Sequence, residues 1–127
     1  DVITAANAHD VQATIIVEGA NGPIAANADA ILQDKTIMVN PDILANSGGV
    51  IVSYFEWVQN LSGEYWDIEK VFFHLEEMLE KSFYDVFDIA YQYHATPRIA
   101  SYLIALKKIT GYDKTALQQI TTRAETV

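Results

Sequence analysis

Pro41-Asp42-Ile43-Leu44-Ala45-Asn46-Ser47-Gly48-Gly49-Val50-Ile51-Val52-Ser53-Tyr54-Phe55-Glu56-Trp57 is the stretch around which the rest of the chain is arranged. It follows Ile37-Met38-Val39, a short apolar run that reads as a buried strand. Pro41 closes that strand, because a proline has no amide hydrogen for a sheet ladder. Gly48-Gly49 lets backbone approach another body without side-chain collision and reads as a hinge. Beyond the glycines, Val50, Tyr54, Trp57, Val58 and Leu61 recur at helical spacing, which predicts a helix. Asn46 and Ser53 are then the polar groups left at the strand-to-helix edge. In open α/β sheets, ligands sit at that edge, beyond the carboxyl ends of the strands. Two blander readings stand beside this one. Asn before Gly-Gly is more often a turn residue with a satisfied side chain, and Ser53 could bond a neighbouring helical carbonyl.

Upstream, Thr4 reads as the N-cap of a short helix from Ala5 to Asp10. Thr14-Ile15-Ile16-Val17 is a β-branched run suited to a fully buried parallel strand. It ends in the polar, Gly-rich turn Glu18-Gly19-Ala20-Asn21-Gly22-Pro23. Ala25 to Lys35, with Ala28, Ile31 and Leu32 at helical spacing, is predicted helical and leads into the Ile37–Val39 strand. Strand, helix and strand in that order form a βαβ unit, whose crossover is expected to be right-handed. The fold class is therefore α/β, a βαβ segment of a Rossmann-like nucleotide-binding domain followed by long helices. Asn21, taken alone, is most simply a left-handed turn residue, a conformation Asn tolerates better than most.

Downstream, Asn60 to Asp67 reads as a loop. A long amphipathic helix follows from Ile68 to about Tyr93, striped by Ile68, Val71, Phe72, Leu75, Leu79, Phe83, Val86, Ile89 and Ala90. Glu76, Glu77, Glu80 and Asp85 lie mostly off the stripe and read as a solvated face. His74 and His94 have no ligand partners at metal-binding spacing, so no metal site is assigned. Thr96-Pro97 opens a further helix with Thr96 as N-cap and Pro97 at its first position. Ile99, Tyr102, Leu103, Leu106 and Ile109 are its predicted apolar face, and Gly111 ends it. Residues 113–127 are expected to form a tail, frayed or disordered.

Two motifs carry a specific resemblance. Pro41 to Trp57 resembles the PD-x-L-x-N-AGGV-T-VSYFEW segment of the glutamate dehydrogenase family, with Ser47 for the usual Ala and Ile51 for the usual Thr. Val17 to Pro23 resembles that family's VEGANGP motif without a mismatch. The family then continues Thr-Thr-Pro-Glu-Ala-Asp, whereas Ile24-Ala25-Ala26-Asn27-Ala28-Asp29 stands here, a departure that bears on helix capping. The resemblance runs from Asp1 to roughly Tyr112. It implies that residues 1–47 end a Rossmann-like NAD(P)-binding domain. Residues 48–112 would be a helix bridging to the substrate domain together with C-terminal helices that brace it.

The resemblance also implies a chemistry: oxidative deamination of L-glutamate to 2-oxoglutarate and ammonia, with NAD or NADP as hydride acceptor. Asn21 and Asn46 would contact the nicotinamide and its ribose, and Asn46 would also lie near the substrate. Ser53 would bond the distal carboxylate of glutamate, and Val50 would pack beside its carbon chain. Leucine and phenylalanine dehydrogenases share the Asn-x-Gly-Gly-Val run but diverge from SYFEW, so Ser53 favours glutamate. A polar group dedicated to a ligand carboxylate discriminates because an apolar substrate leaves it unpaired. No G-x-G-x-x-G is present, and the family's catalytic lysine and aspartate motifs are absent, so no catalytic residue is assigned and the chain alone is expected to be inert. The alternative is a non-enzymatic α/β assembly module; another Rossmann oxidoreductase would require both motifs to match by chance.

Composition limits the partners. The chain has 127 residues, half of them apolar, enough for one domain with a core. Its net charge of −9 argues against nucleic acid or an anionic membrane surface, which reward clustered Lys and Arg. Without cysteine there is no disulfide framework or thiolate metal site. No apolar run approaches the ~18 residues of a membrane span and no signal-peptide pattern is read, so the expected location is cytoplasmic, or the mitochondrial matrix in a eukaryote. The opening Asp1-Val2-Ile3-Thr4 reads as the continuation of a longer polypeptide, whose preceding part would be a partner to this one. Family membership implies a homo-oligomer, a hexamer.

Overall fold

The computed structural model describes residues 2–111. Two short parallel strands, β1 (Ile15–Val17) and β2 (Met38–Asn40), pair with Ile15 opposite Met38, Ile16 opposite Val39 and Val17 opposite Asn40. The crossover between them is α1 (Ala26–Asp34), so the expected strand, helix and strand are present as a small mixed α/β unit. Strand side chains alternate between faces. Ile16 and Val39 pack against the core formed by Ala8, Ile24, Ala28, Leu32 and Ile37. The other face is open: Ile15 and Val17 are 54% and 63% exposed, so β1 is not the fully buried strand its composition predicts.

Local chemistry accounts for the boundaries. Pro41 follows β2 directly and is fully buried. The segment before β1 forms a single 3-10 turn at Ala8–Asp10 rather than the expected six-residue helix. Asn7, not Thr4, stands at the N-cap position, and no side chain caps this turn: Asn7 Oδ1 turns back to accept from the Thr4 amide at 2.7 Å. No side chain caps α1, whose first residues are where the chain departs from the VEGANGP continuation. A short helix, α2 (Asp42–Ala45), follows Pro41, and α3 (Gly48–Ser62) begins almost at once. Gly48-Gly49 therefore opens a helix and is not an extended hinge; neither glycine has a positive φ.

Two long helices complete the chain. α4 (Ile68–Gln92) is capped by Asp67, whose side chain accepts from Lys70 N at 2.8 Å. α5 (Pro97–Thr110) has the predicted Thr96 cap, Pro97 in its first turn, and Gly111 as a left-handed stop with φ 66°. A second core cluster, Leu44, Val86, Ala90 and Ala100, with Phe87, Ile89 and Ile104 against it, joins α2, α4 and α5. The inward faces of α3 and α5 differ from those predicted. In α3 the buried residue is Phe55, while Val50, Tyr54, Trp57 and Leu61 are exposed. In α5 it is Ala100 and Ser101 that are buried, while Ile99, Tyr102, Leu106 and Ile109 are exposed. Both helices carry apolar side chains on several sides, so spacing identifies a helix without selecting its inner face. The loop before α4 also starts later than predicted, because α3 runs to Ser62 before Gly63 ends it.

Candidate functional site

The chain leaves β1 at Glu18 and β2 at Pro41, on the same end of the parallel pair, so both motif loops emerge side by side. Asn21, in the first loop, and Asn46, at the carboxyl end of α2, meet there. Asn46 Nδ2 donates to Asn21 Oδ1 at 2.6 Å and lies 3.4 Å from the Gly19 carbonyl oxygen. The left-handed residue of the first turn is Gly22, with φ 57°, so Asn21 is not placed there for backbone conformation. Its side chain is engaged across 25 positions of sequence.

What holds the two loops at this spacing is a cluster that the motifs alone did not reveal. The Arg98 guanidinium, in the first turn of α5, reaches three carboxylates from three different segments. Nη2 lies 2.7 Å from Glu18 Oε1, Nε 3.1 Å from Asp29 Oδ2 in α1, and Nη1 3.3 Å from Asp42 Oδ1 in α2. The carboxylates pass the connection on to backbone. Glu18 Oε2 accepts from the Asp42 amide at 2.7 Å, and Asp42 Oδ2 accepts from the Gly22 amide at 2.7 Å. Gly22 is the neighbour of Asn21, and the Asn46 amide donates to the Asp42 carbonyl at 3.0 Å.

Electrostatics agree with the geometry. The Glu18 side chain is fully buried, which is tolerated only because it is paired and fully bonded. The bond to Glu18, followed by the charges of Asp29 and Glu18, outweighs burial and holds the Arg98 guanidinium more firmly protonated than usual. Asp42 is held below its usual 3.8, first by the Gly22 amide, against the opposing effect of burial, and further by the Ile43 amide and Arg98. Glu18 and Asp42 could have been singled out from sequence as the acids standing second in each motif, one and two residues beyond the ends of β1 and β2.

Val50 and Ser53 stand one turn apart on the solvent side of α3, Val50 being 69% exposed. Ser53 Oγ donates to the Gly49 carbonyl at 3.1 Å, the back-bonding of a helical serine. The four predicted residues thus divide: Asn21 and Asn46 touch, and Val50 and Ser53 form an open helical surface following them. None of the four lines the cavity of about 190 Å³ between α1, β2 and α5, which is bordered by Asp29, Gln33, Met38, Thr96 and Arg98. Downstream, Phe55, Trp66 and His74 pack ring against ring, and His74 Nδ1 lies 3.4 Å from Glu77, a single contact on the α4 surface. Among the described residues no group of three or more His, Asp or Glu is arranged to hold a metal ion, and no helix is long and apolar enough to cross a membrane.

Comparison with known proteins places this geometry. The family model described as glutamate/leucine/phenylalanine/valine dehydrogenase matches residues 1–116. A cryptic catabolic NAD-specific glutamate dehydrogenase of Bacillus subtilis is 46% identical over 107 residues, covering 84% of this chain and 25% of the relative. A glutamate dehydrogenase of Thermotoga maritima is 47% identical over 107 residues, covering 84% and 26%. Among solved structures, a glutamate dehydrogenase from Peptoniphilus asaccharolyticus superposes with a TM-score of 0.82 at 43% identity, covering 86% of this chain and 28% of that one. The hetero-hexameric glutamate dehydrogenase of Thermus thermophilus, in its Leu-bound form, gives 0.80 at 32% identity, covering 84% and 26%. The chain spans about a quarter of the length of the curated relatives it matches. With its two motif loops meeting through Asn21 and Asn46 and the family model matched over nearly its whole length, the chain belongs to the glutamate/leucine/phenylalanine/valine dehydrogenase family.

Proposed function

We propose that the chain is the C-terminal part of an NAD(P)-dependent glutamate dehydrogenase. Residues 1–47 would complete a Rossmann-like coenzyme domain and residues 48–112 would form the bridge and bracing helices; the tail expected at 113–127 lies outside the described residues. The reaction is oxidative deamination of L-glutamate to 2-oxoglutarate and ammonia within a homo-oligomer, and its setting is the cytoplasm or the mitochondrial matrix. NAD or NADP supplies the redox chemistry when bound.

The observation that carries the reading is the Asn46–Asn21 bond at the carboxyl ends of parallel strands, where family ligands are expected. That bond uses Asn46 Nδ2 and Asn21 Oδ1, so Asn21 Nδ2 remains as a donor and Asn46 Oδ1 as an acceptor. A carboxamide or a ribose diol needs that pairing of donor and acceptor. Ser53 Oγ–H turns from the Gly49 carbonyl to the distal carboxylate of glutamate, exchanging a neutral acceptor for a charged one. Val50 offers its apolar surface to the methylenes between the two carboxylates.

The test is kinetic, on the longer polypeptide of which this chain is a part. Ser53→Ala removes a hydrogen bond to a charged group, so the KM for glutamate is expected to rise roughly tenfold to a hundredfold. The KM for coenzyme stays near its original value. An unchanged glutamate KM removes Ser53 from the substrate site. Failure of the unaltered polypeptide to reduce NAD or NADP with glutamate overturns the reading as a whole. The 127-residue chain assayed alone is expected to show no turnover, since its residues bind and orient but offer no assigned general acid or base.

A further inference from the structure

We infer that Arg98 is a positioning residue for the Asn21–Asn46 pair, setting the register of the two loops from the first turn of α5. The inference rests on the reading of those asparagines as coenzyme contacts, but its structural core stands on bonds already described. Arg98 is the only arginine among the described residues, and 80 positions of sequence separate it from Glu18. Its three carboxylate partners come from the loop after β1, from α1 and from α2. Two of them hand the constraint to the asparagines. Asp42 fixes the Gly22 amide beside Asn21, and it begins the short helix whose end is Asn46. Glu18 fixes the Asp42 amide and so keeps α2 against the β1 loop.

Geometry makes this role specific to a guanidinium. Its planar fork presents Nε, Nη1 and Nη2 in fixed directions, one to each carboxylate. A lysine ammonium is a compact point charge and cannot meet three acids arranged around a plane. Arg98→Lys therefore keeps the positive charge near Glu18 while releasing at least one of the other contacts. Asp42→Asn keeps the size of that side chain but replaces one acceptor oxygen with a donor that cannot serve both Gly22 and Arg98. Both variants loosen the register between the loops without touching either asparagine.

Side-chain amide NMR of the longer polypeptide, labelled at asparagine, tests this without reference to catalysis. In the unaltered chain the Asn46 Nδ2 protons are expected to be well separated in shift and slow to exchange, because one is held by Asn21. In Arg98→Lys and in Asp42→Asn they collapse toward solvent-exposed values, while the backbone spectrum stays dispersed. A dispersed spectrum with an unchanged Asn46 amide in either variant overturns the positioning role. In the longer polypeptide, Arg98→Lys is expected to raise the KM for coenzyme about tenfold and, combined with Asn21→Ala, to cost less than the sum of the two, since residues acting through one network are not additive. Additive effects, or a lowered kcat at unchanged coenzyme KM, also overturn it. Loss of glutamate activity in the unaltered polypeptide would count against the proposed function alone, because the amide signature is read independently of turnover.

Discussion

Asp42 shows how one side chain in a recognisable motif can serve architecture rather than ligand. Its two oxygens accept from the Gly22 and Ile43 amides and from Arg98, all contacts that favour the charged form. The Asp42 carboxyl consequently sits below its ordinary 3.8 in the folded chain. A depressed folded value adds stability that is fully present above the unfolded value and is lost as the pH falls through the folded one. Thermal melting of the 127-residue chain across an acid series is therefore expected to show a gap between unaltered chain and Asp42→Asn that is constant above the carboxylate range and closes below 3.8. A gap that persists unchanged into strong acid would show that the charge contributes nothing. Arg98 adds no titration of its own, because its carboxylate partners hold it protonated throughout.

At the scale of elements, α3 and α5 each contain a local feature that only their neighbours explain. Arg98 occupies the first turn of α5, where the helix dipole disfavours a cation. Three carboxylates offset that cost, and a local rule broken in this way marks a position held by tertiary contacts. Gly48 and Gly49 occupy the first turn of α3, where glycine is a weaker helix former than alanine. A Cβ on Gly49 would meet nothing within 4 Å, and one on Gly48 would make only ordinary contact with Leu79 and Leu75. Gly49→Ala is thus expected to stabilise the isolated chain by about 0.5 kcal/mol, or about 3 °C in Tm. In the longer polypeptide the same change is expected to lower glutamate turnover, because Gly49 lies next to Val50 and one turn before Ser53, the residues the reading assigns to glutamate. A stabilised variant with full activity would return the glycine pair to a purely local role.

For the molecule as a whole, the described residues form two modest cores, one under α1 and one between α2, α4 and α5. Large apolar side chains remain outside both, among them Ile15, Val17, Phe72, Leu106 and Ile109, and two strands make a poor free-standing sheet. Exposed apolar surface on this scale drives association. The 127-residue chain is expected to self-associate, and a monomeric mass by light scattering would contradict that. Sequence by itself did not determine α2 or the 3-10 turn before β1, but it did determine the order of strand, helix and strand, the presence of α3, α4 and α5, and the Thr96 and Gly111 boundaries of α5. Those follow from chemistry within a few residues: periodicity, capping groups and the conformations open to proline and glycine. It also marked Asn21 and Asn46, because they stand in two motifs specific enough to name a family. The tertiary structure alone decided which faces of α3 and α5 turn inward, since helices apolar on several sides fit their spacing in more than one way. It alone joined Arg98 to Glu18, Asp29 and Asp42, because a bond across 80 positions leaves no periodic trace in the chain and exists only once folding has brought four separate segments to one point.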